Sequence, residues 1–197
     1  MFTPYNPRWY WHQHIGAEYE ENIKKELDEY LQDESNYAQP EDWTCDVLST
    51  HTIDTSHIPW DAVSKNTNHV LNSMLEEIEP LVPFKVMMTE IWSNKYKKGM
   101  YQEAHQHQDP SCNLVGTYFY QLPENSGKFV FYDETFYPYG SSGLDEVLRL
   151  PGAESMQPNI LEGDLVFFPP HYLHHVTKHM SDMDRITISF NLNISKT

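Results

Sequence analysis

What most restricts the fold of this chain is a change in the spacing of its apolar residues near Pro83. Before that point the spacing is helical. Tyr19, Ile23, Leu27, Tyr30 and Leu31 fall on one stripe of a helix expected over residues 16–32. Val63, Val70, Leu71, Met74, Leu75 and Ile78 form the stripe of a second, which starts near Pro59, where proline suits a first turn, and ends before Pro80. After Pro83 the period falls to two. Strand-like segments cover residues 84–92, 115–122, 127–132, 164–168, 174–179 and 185–193, separated by turn-forming stretches rich in proline, glycine and aspartate. A further strand is expected over residues 44–53, and the first fifteen residues are expected to lie extended across another surface. Helices followed by a run of short strands predict a mainly β member of the α+β class, a jelly roll backed by its N-terminal helices. Residues 1–83 would form the helical support and 84–197 the jelly-roll core, within a single domain.

Composition narrows the function classes. The net charge of −16 argues against affinity for nucleic-acid phosphates or anionic membranes. Cys45 and Cys112 form no CxxC pair, so neither a disulfide framework nor a structural zinc site is expected. The opening residues lack a basic segment followed by an apolar run, and no apolar stretch approaches the roughly 20 residues needed to span a bilayer. A cytoplasmic location is the default expectation.

Eleven histidines are present, six of them between residues 105 and 179. One group is His105, His107 and Asp109; the other is the pair His174–His175. In a strand, residues i and i+2 share a face, so an H-x-H or H-x-D triplet can aim two side chains at one ion. A third ligand can come from the distant pair, of which only one member can point inward. Two histidines and a carboxylate on one face of a metal leave positions open for a cosubstrate and oxygen, the arrangement of non-haem Fe(II) oxygenases. Zinc hydrolysis is less well served, because no HExxH helix is present. Arg185, one of three arginines, opens an alternation of Arg185, Thr187, Ser189 and Asn191 against Ile186, Ile188, Phe190 and Leu192. If that polar face lines a barrel interior, the guanidinium needs an anionic partner, which a bound dicarboxylate would provide.

The segments IWSNKYKKGMYQEAHQHQD, LVGTYFYQLPENSGKFVFYDE, EGDLVFFPPHYLHHV and DRITISFN, in this order, resemble the 2-oxoglutarate/Fe(II)-dependent dioxygenase superfamily, in particular its small prolyl-hydroxylase-like bacterial and phage members. The resemblance covers roughly residues 84–194. It implies a double-stranded β-helix, Fe(II), 2-oxoglutarate as cosubstrate, molecular oxygen, and hydroxylation of a small-molecule or peptidyl substrate with release of succinate and CO2. It makes His174 the distal metal ligand with His175 its outward neighbour, and Arg185 the anchor of the far 2-oxoglutarate carboxylate, with Thr187 as hydroxyl companion. Tyr96 resembles a tyrosine that reaches the cosubstrate, and Tyr118 is a second candidate. Counting back from the strand at Gly116 puts H-x-D on His107 and Asp109; counting forward from Tyr96 and Gly99 puts the pair on His105 and His107. The expected set is His107, Asp109 and His174, with His105 the alternative to Asp109. Asn94 is expected to hold substrate or cap a turn, Lys95, Lys97 and Lys98 to be solvated, and residues 136–155 to form a lid. Two rival expectations stand beside this one. A cupin-like dioxygenase would use His105, His107 and His174 without 2-oxoglutarate, and a jelly-roll binding protein would have no catalysis.

Overall fold

The computed structural model describes residues 9–78, 82–107, 109–132, 147 and 157–197. Helix α1, Ala17–Gln32, begins after Gly16, whose φ of 95° suits glycine, and buries Ile23, Leu27 and Leu31 at i, i+4 and i+8. Glu18 and Glu20 in its first turn complement the helix dipole. Helix α2, Asp61–Ile78, buries Ala62, Val63, Val70, Leu71, Met74 and Leu75. It also buries Asn66 and Thr67, whose side chains donate to the carbonyls of Ala62 and Val63 at 2.8 Å each, so neither carries an unpaired donor into the core.

The helices cover one face of a six-stranded antiparallel sheet. Its strands are β1 (Trp11–His14), β2 (Leu48–Ser49), β3 (Phe84–Tyr96), β5 (Leu114–Gln121), β7 (Asp164–Phe168) and β9 (Arg185–Lys196), in the order β1-β7-β5-β9-β3-β2. A second sheet carries β4 (Gln102–His105), β6 (Phe129–Phe131) and β8 (His174–Val176) in the order β4-β8-β6. Alternation along each strand of the large sheet divides its apolar residues between two cores. Leu114, Tyr118, Leu165, Phe167, Ile186, Ile188, Phe190 and Leu192 meet the helices. Val115, Phe119, Val166 and Phe168 turn the other way and pack with Phe129, Phe131 and Val176 of the small sheet. The two sheets make a double-stranded β-helix, and its interior is this second core.

Several expected elements end elsewhere. The strand expected over 44–53 shrinks to β2, and the N-terminal segment contributes β1, which pairs with β7 from Trp11↔Phe167 to His14↔Asp164. β4 was not expected at all. Strand β3 continues past residue 92 to Tyr96, because it pairs along the whole of β9. That pairing contains a bulge. The register passes from Met88↔Leu192 to Glu90↔Asn191, leaving Thr89 as the extra residue. Before the bulge Phe84, Val86 and Met88 face the helices; after it Ile91 does, Trp92, Asn94 and Tyr96 are buried in the interior, and Glu90 is exposed at the rim on that same side. No helix among the described residues is long and apolar enough to cross a membrane.

Candidate metal and cosubstrate site

The pairing of β4 with β8 sets His105 directly opposite His174. His107 lies beyond the end of β4, held by a hydrogen bond from its N–H to the Pro170 carbonyl at 2.9 Å. One ligand atom from each of the three histidines falls within 4.8 Å of the others. The ring centroids are 4.2 Å apart for His105 and His174, 5.3 Å for His107 and His174, and 5.6 Å for His105 and His107.

Each ring has its Nδ1 against a carbonyl oxygen: His105 against Glu103 O at 2.9 Å, His174 against Tyr172 O at 2.8 Å, and His107 against Asn191 Oδ1 at 2.8 Å. Carbonyl oxygens only accept, so Nδ1 carries the proton and Nε2 keeps its lone pair for a metal. Burial, reinforced by the neighbouring histidines, pushes His174 well below the ordinary histidine range and His107 to about 4; burial also lowers His105. The three rings are therefore neutral donors near pH 7.

Asp109 is not among them. Its exposed carboxylate accepts from the Ser111 N–H at 2.6 Å, and the Ser111 hydrogen bonds hold it below the usual carboxylate range. The chain turns there, with Cys112 N–H donating to the Asp109 carbonyl at 2.9 Å. The H-x-D frame needs strand alternation through residue 109, but β4 ends at His105, so alternation no longer places the carboxylate. The structure thus assembles the alternative set, His105, His107 and His174, and leaves Asp109 on the rim. Next to it opens a cleft of about 450 Å³ lined by Trp43, His51, Glu90, Trp92, Gln102, Glu103, Gln106, Asp109, Pro110 and Asn191 around His105 and His107. Trp92 stacks on His107 at 5.6 Å. His175 faces away from His174, as neighbours in a strand must, and is half-buried.

Arg185 lies in the same interior, 1% exposed, with its guanidinium carbon 4.6 Å from the Tyr96 ring centroid and 5.5 Å from that of Phe119. Its Nε and Nη1 are buried and have no hydrogen-bond partner among the described residues. Burial lowers its pKa, with Tyr96 working the other way, yet an arginine stays charged at any ordinary pH. A buried cation with unpaired N–H groups is what an enclosed carboxylate would complete, so the residues present fit a dicarboxylate cosubstrate. Tyr96 donates its hydroxyl to Gln102 Oε1 at 2.6 Å, is pushed up to about 12 by burial, and has Thr187 beside the same hydroxyl. Thr187, Ser189 and Asn191 are all buried, so the polar side of β9 lines the barrel and does not face solvent.

Tyr118 is placed elsewhere. It belongs to the helix-side core, on the face of β5 opposite Phe119, and cannot reach the Arg185 side of the sheet. Asn94 faces the interior between Trp92 and Tyr96, 3% exposed, with no partner for Oδ1 among the described residues. It caps no turn. The three lysines expected to be solvated divide, Lys97 and Lys98 being partly exposed and Lys95 not. Lys95 is fully buried on the helix side, where Nζ donates to the Gln32 carbonyl at 3.0 Å and lies 4.6 Å from the Tyr37 ring, so it caps the C-terminus of α1. Lys97 and Lys98 are paired with Glu34 at 2.6 Å and Asp182 at 2.8 Å. Sequence reasoning missed Glu90, Gln102 and the role of Asn191. Only Asn191 carried a signal, as the last polar member of the Arg185 alternation. The expected lid, residues 136–155, lies outside the described residues except for residue 147.

Residues 90–191 match the family model described as "Putative 2OG-Fe(II) oxygenase". No curated protein matches the chain. Among solved structures it is similar to the viral collagen prolyl hydroxylase of Paramecium Bursaria Chlorella virus-1, in complex with 2-oxoglutarate, at 15% identity and a TM-score of 0.56, covering 94% of this chain and 96% of that one. It is similar to a Pseudomonas putida prolyl-4-hydroxylase at 12% identity and a TM-score of 0.61, covering 94% and 92%. A third is a prolyl hydroxylase from Trichoplax adhaerens bound to a hypoxia-inducible-factor peptide fragment, at 10% identity and a TM-score of 0.63, covering 95% and 84%. At these identities the likeness is one of fold.

Proposed function

This chain belongs to the 2OG-Fe(II) oxygenase family, and on that premise we propose that His105, His107 and His174 hold its iron while Arg185 anchors the far carboxylate of 2-oxoglutarate. It is an Fe(II)- and 2-oxoglutarate-dependent oxygenase. One observation carries the residue assignment. Three histidines with free Nε2 lone pairs and a buried arginine with unpaired N–H groups share one barrel interior. Bound there, iron and 2-oxoglutarate would let molecular oxygen act as the oxidant, one oxygen atom ending in succinate as 2-oxoglutarate loses CO2 and the other oxidising the substrate.

The chain's own part is positioning and shielding. Three carbonyl acceptors fix the histidine tautomers, so the ligand set needs no proton rearrangement before binding. Tyr96 and Phe119 wall the guanidinium against water, which strengthens its attraction for a carboxylate. Trp92 holds the His107 ring from one side and forms part of the cleft through which substrate reaches the metal.

Hydroxylation is the outcome we infer, since three of the solved structures of like fold are prolyl hydroxylases, while another of like fold is an epimerase. Among the described residues the cleft is lined by Glu90, Glu103 and Asp109 and by no lysine or arginine. This favours a neutral or cationic small molecule or peptide over a nucleic acid.

The cupin-like alternative uses the same three histidines but gives Arg185 no task. Anaerobic titration of the Fe(II)-loaded protein with 2-oxoglutarate separates the two. The expected result is a visible metal-to-ligand charge-transfer band that saturates at one equivalent. Iron binding without that band would sink the 2-oxoglutarate assignment and leave the cupin-like one.

A further inference from the structure

A face of three histidines brings no charge to a divalent cation, whereas two histidines and a carboxylate bring one negative charge. The structure holds a carboxylate one residue further out. Asn191, 4% exposed, stands between His107 and Glu90, with 2.8 Å from Oδ1 to His107 Nδ1 and 2.7 Å from Nδ2 to Glu90 Oε2. The direction of this chain follows from donor chemistry alone. A carboxylate accepts, so the amide group facing Glu90 is the NH2, the group facing His107 is the oxygen, and His107 Nδ1 donates.

The arrangement depends on the β3 bulge. Were Thr89 not extra, Asn191 would oppose Thr89, and Glu90 would pair with Phe190, whose side chain faces the helices. The bulge brings Glu90, itself exposed at the cleft rim, within reach of the buried Asn191, as bulges beside functional sites re-aim side chains. His105 and His174 by contrast rest on main-chain carbonyls. His107 is thus the one member of the trio tied to a side chain and, through it, to a charge.

We infer that Glu90 and Asn191 are positioning residues for His107. Asn191 locks the ring with Nε2 toward the metal, and Glu90 polarises the amide, supplying from outside the negative charge that a carboxylate ligand would supply directly. The inference rests on the three-histidine assignment proposed above.

Co(II) affinity, measured by competition with a chelating dye, and the His107 tautomer in the metal-free protein, measured by long-range ¹⁵N NMR, test it together. Glu90→Gln is expected to weaken Co(II) binding by about tenfold, in the range usual for partners of metal-bound histidines. Asn191→Ala is expected to weaken it further and to turn the pure Nδ1–H form of His107 into a mixture. Asn191→Asp alone sets two carboxylates face to face and weakens binding. The double variant E90Q/N191D moves the charge one residue inward with every hydrogen bond retained, and is expected to restore wild-type affinity. A purely structural role would lower thermal stability in these variants without that pattern of loss and rescue. Wild-type affinity in Glu90→Gln together with an unmixed tautomer in Asn191→Ala would overturn the inference. A wild-type protein that takes up no Co(II) would instead overturn the metal site, and the tautomer would then decide the positioning role alone.

Discussion

Consider the replacement of Arg185 by methionine, a side chain of similar length without charge. In the protein free of cosubstrate, Arg185 is 1% exposed and leaves Nε and Nη1 without partners among the described residues. Burying such an ion costs several kcal/mol, and the Tyr96 and Phe119 rings return about 2 kcal/mol each at most. Exchanging buried ionic groups for apolar ones of like volume is commonly neutral or stabilising by about 1–4 kcal/mol. Each 1 kcal/mol of stabilisation raises Tm by about 2–4 °C in a chain of this size. For 2-oxoglutarate the sign reverses. Losing a desolvated charge-paired contact costs about 2–5 kcal/mol, a loss of affinity of roughly thirtyfold to several thousandfold. Thermal melts of the wild type and Arg185→Met with and without 2-oxoglutarate, in the presence of Mn(II), read both effects. The wild type gains Tm with ligand by mass action, whereas Arg185→Met starts level or higher and gains far less at the same ligand concentration. A variant that melts well below the wild type, yet is stabilised by 2-oxoglutarate to the same extent, would refute the reasoning.

Three other outcomes are expected. His105→Ala should abolish stoichiometric Co(II) uptake while Asp109→Asn leaves it near wild type, which equilibrium dialysis reads directly; the reverse order would restore Asp109 to the metal. Gly116→Ala should destabilise by about 1–3 kcal/mol in urea melts, because a Cβ there would overlap the Phe190 ring. The metal-free protein should lose stability as pH falls from about 6.5 towards 4. Burial holds the folded histidines, His107 at about 4, below their unfolded values, so within that window the unfolded chain binds protons the folded one does not. His107 alone contributes a few kcal/mol, roughly, by the end of the window, and the slope fades within about one pH unit above it. Urea midpoints at pH 7.5, 6 and 5 check this, and His107→Gln should flatten the trend.

The two helices and most strands were legible because apolar spacing is a local property. The stripe of Ile23, Leu27 and Leu31 and the alternation of β9 both state which face is buried. Pairing is not local. Nothing near Thr44 or Gln102 announces that β2 is two residues long, or that β4 exists to pair with β8. The Met88–Glu90 bulge is likewise invisible, because it depends on the register with β9.

The site divides along the same line. The sequence by itself marked His107, His174 and Arg185 as candidates and gave the polar face on which Arg185 lies, since residue identity and strand parity are written locally. Tertiary structure decided the rest. It ended β4 at His105 and turned the chain at Asp109, so His105 took the place that spacing had given to the carboxylate. It put Tyr118 on the helix side and Tyr96 beside Arg185. Through one extra residue in β3 it brought Glu90 to Asn191. The physical reason is common to all of these. Strand alternation predicts a side chain's direction only while the strand persists in register, and where strands stop or bulge is set by partners far away in the chain.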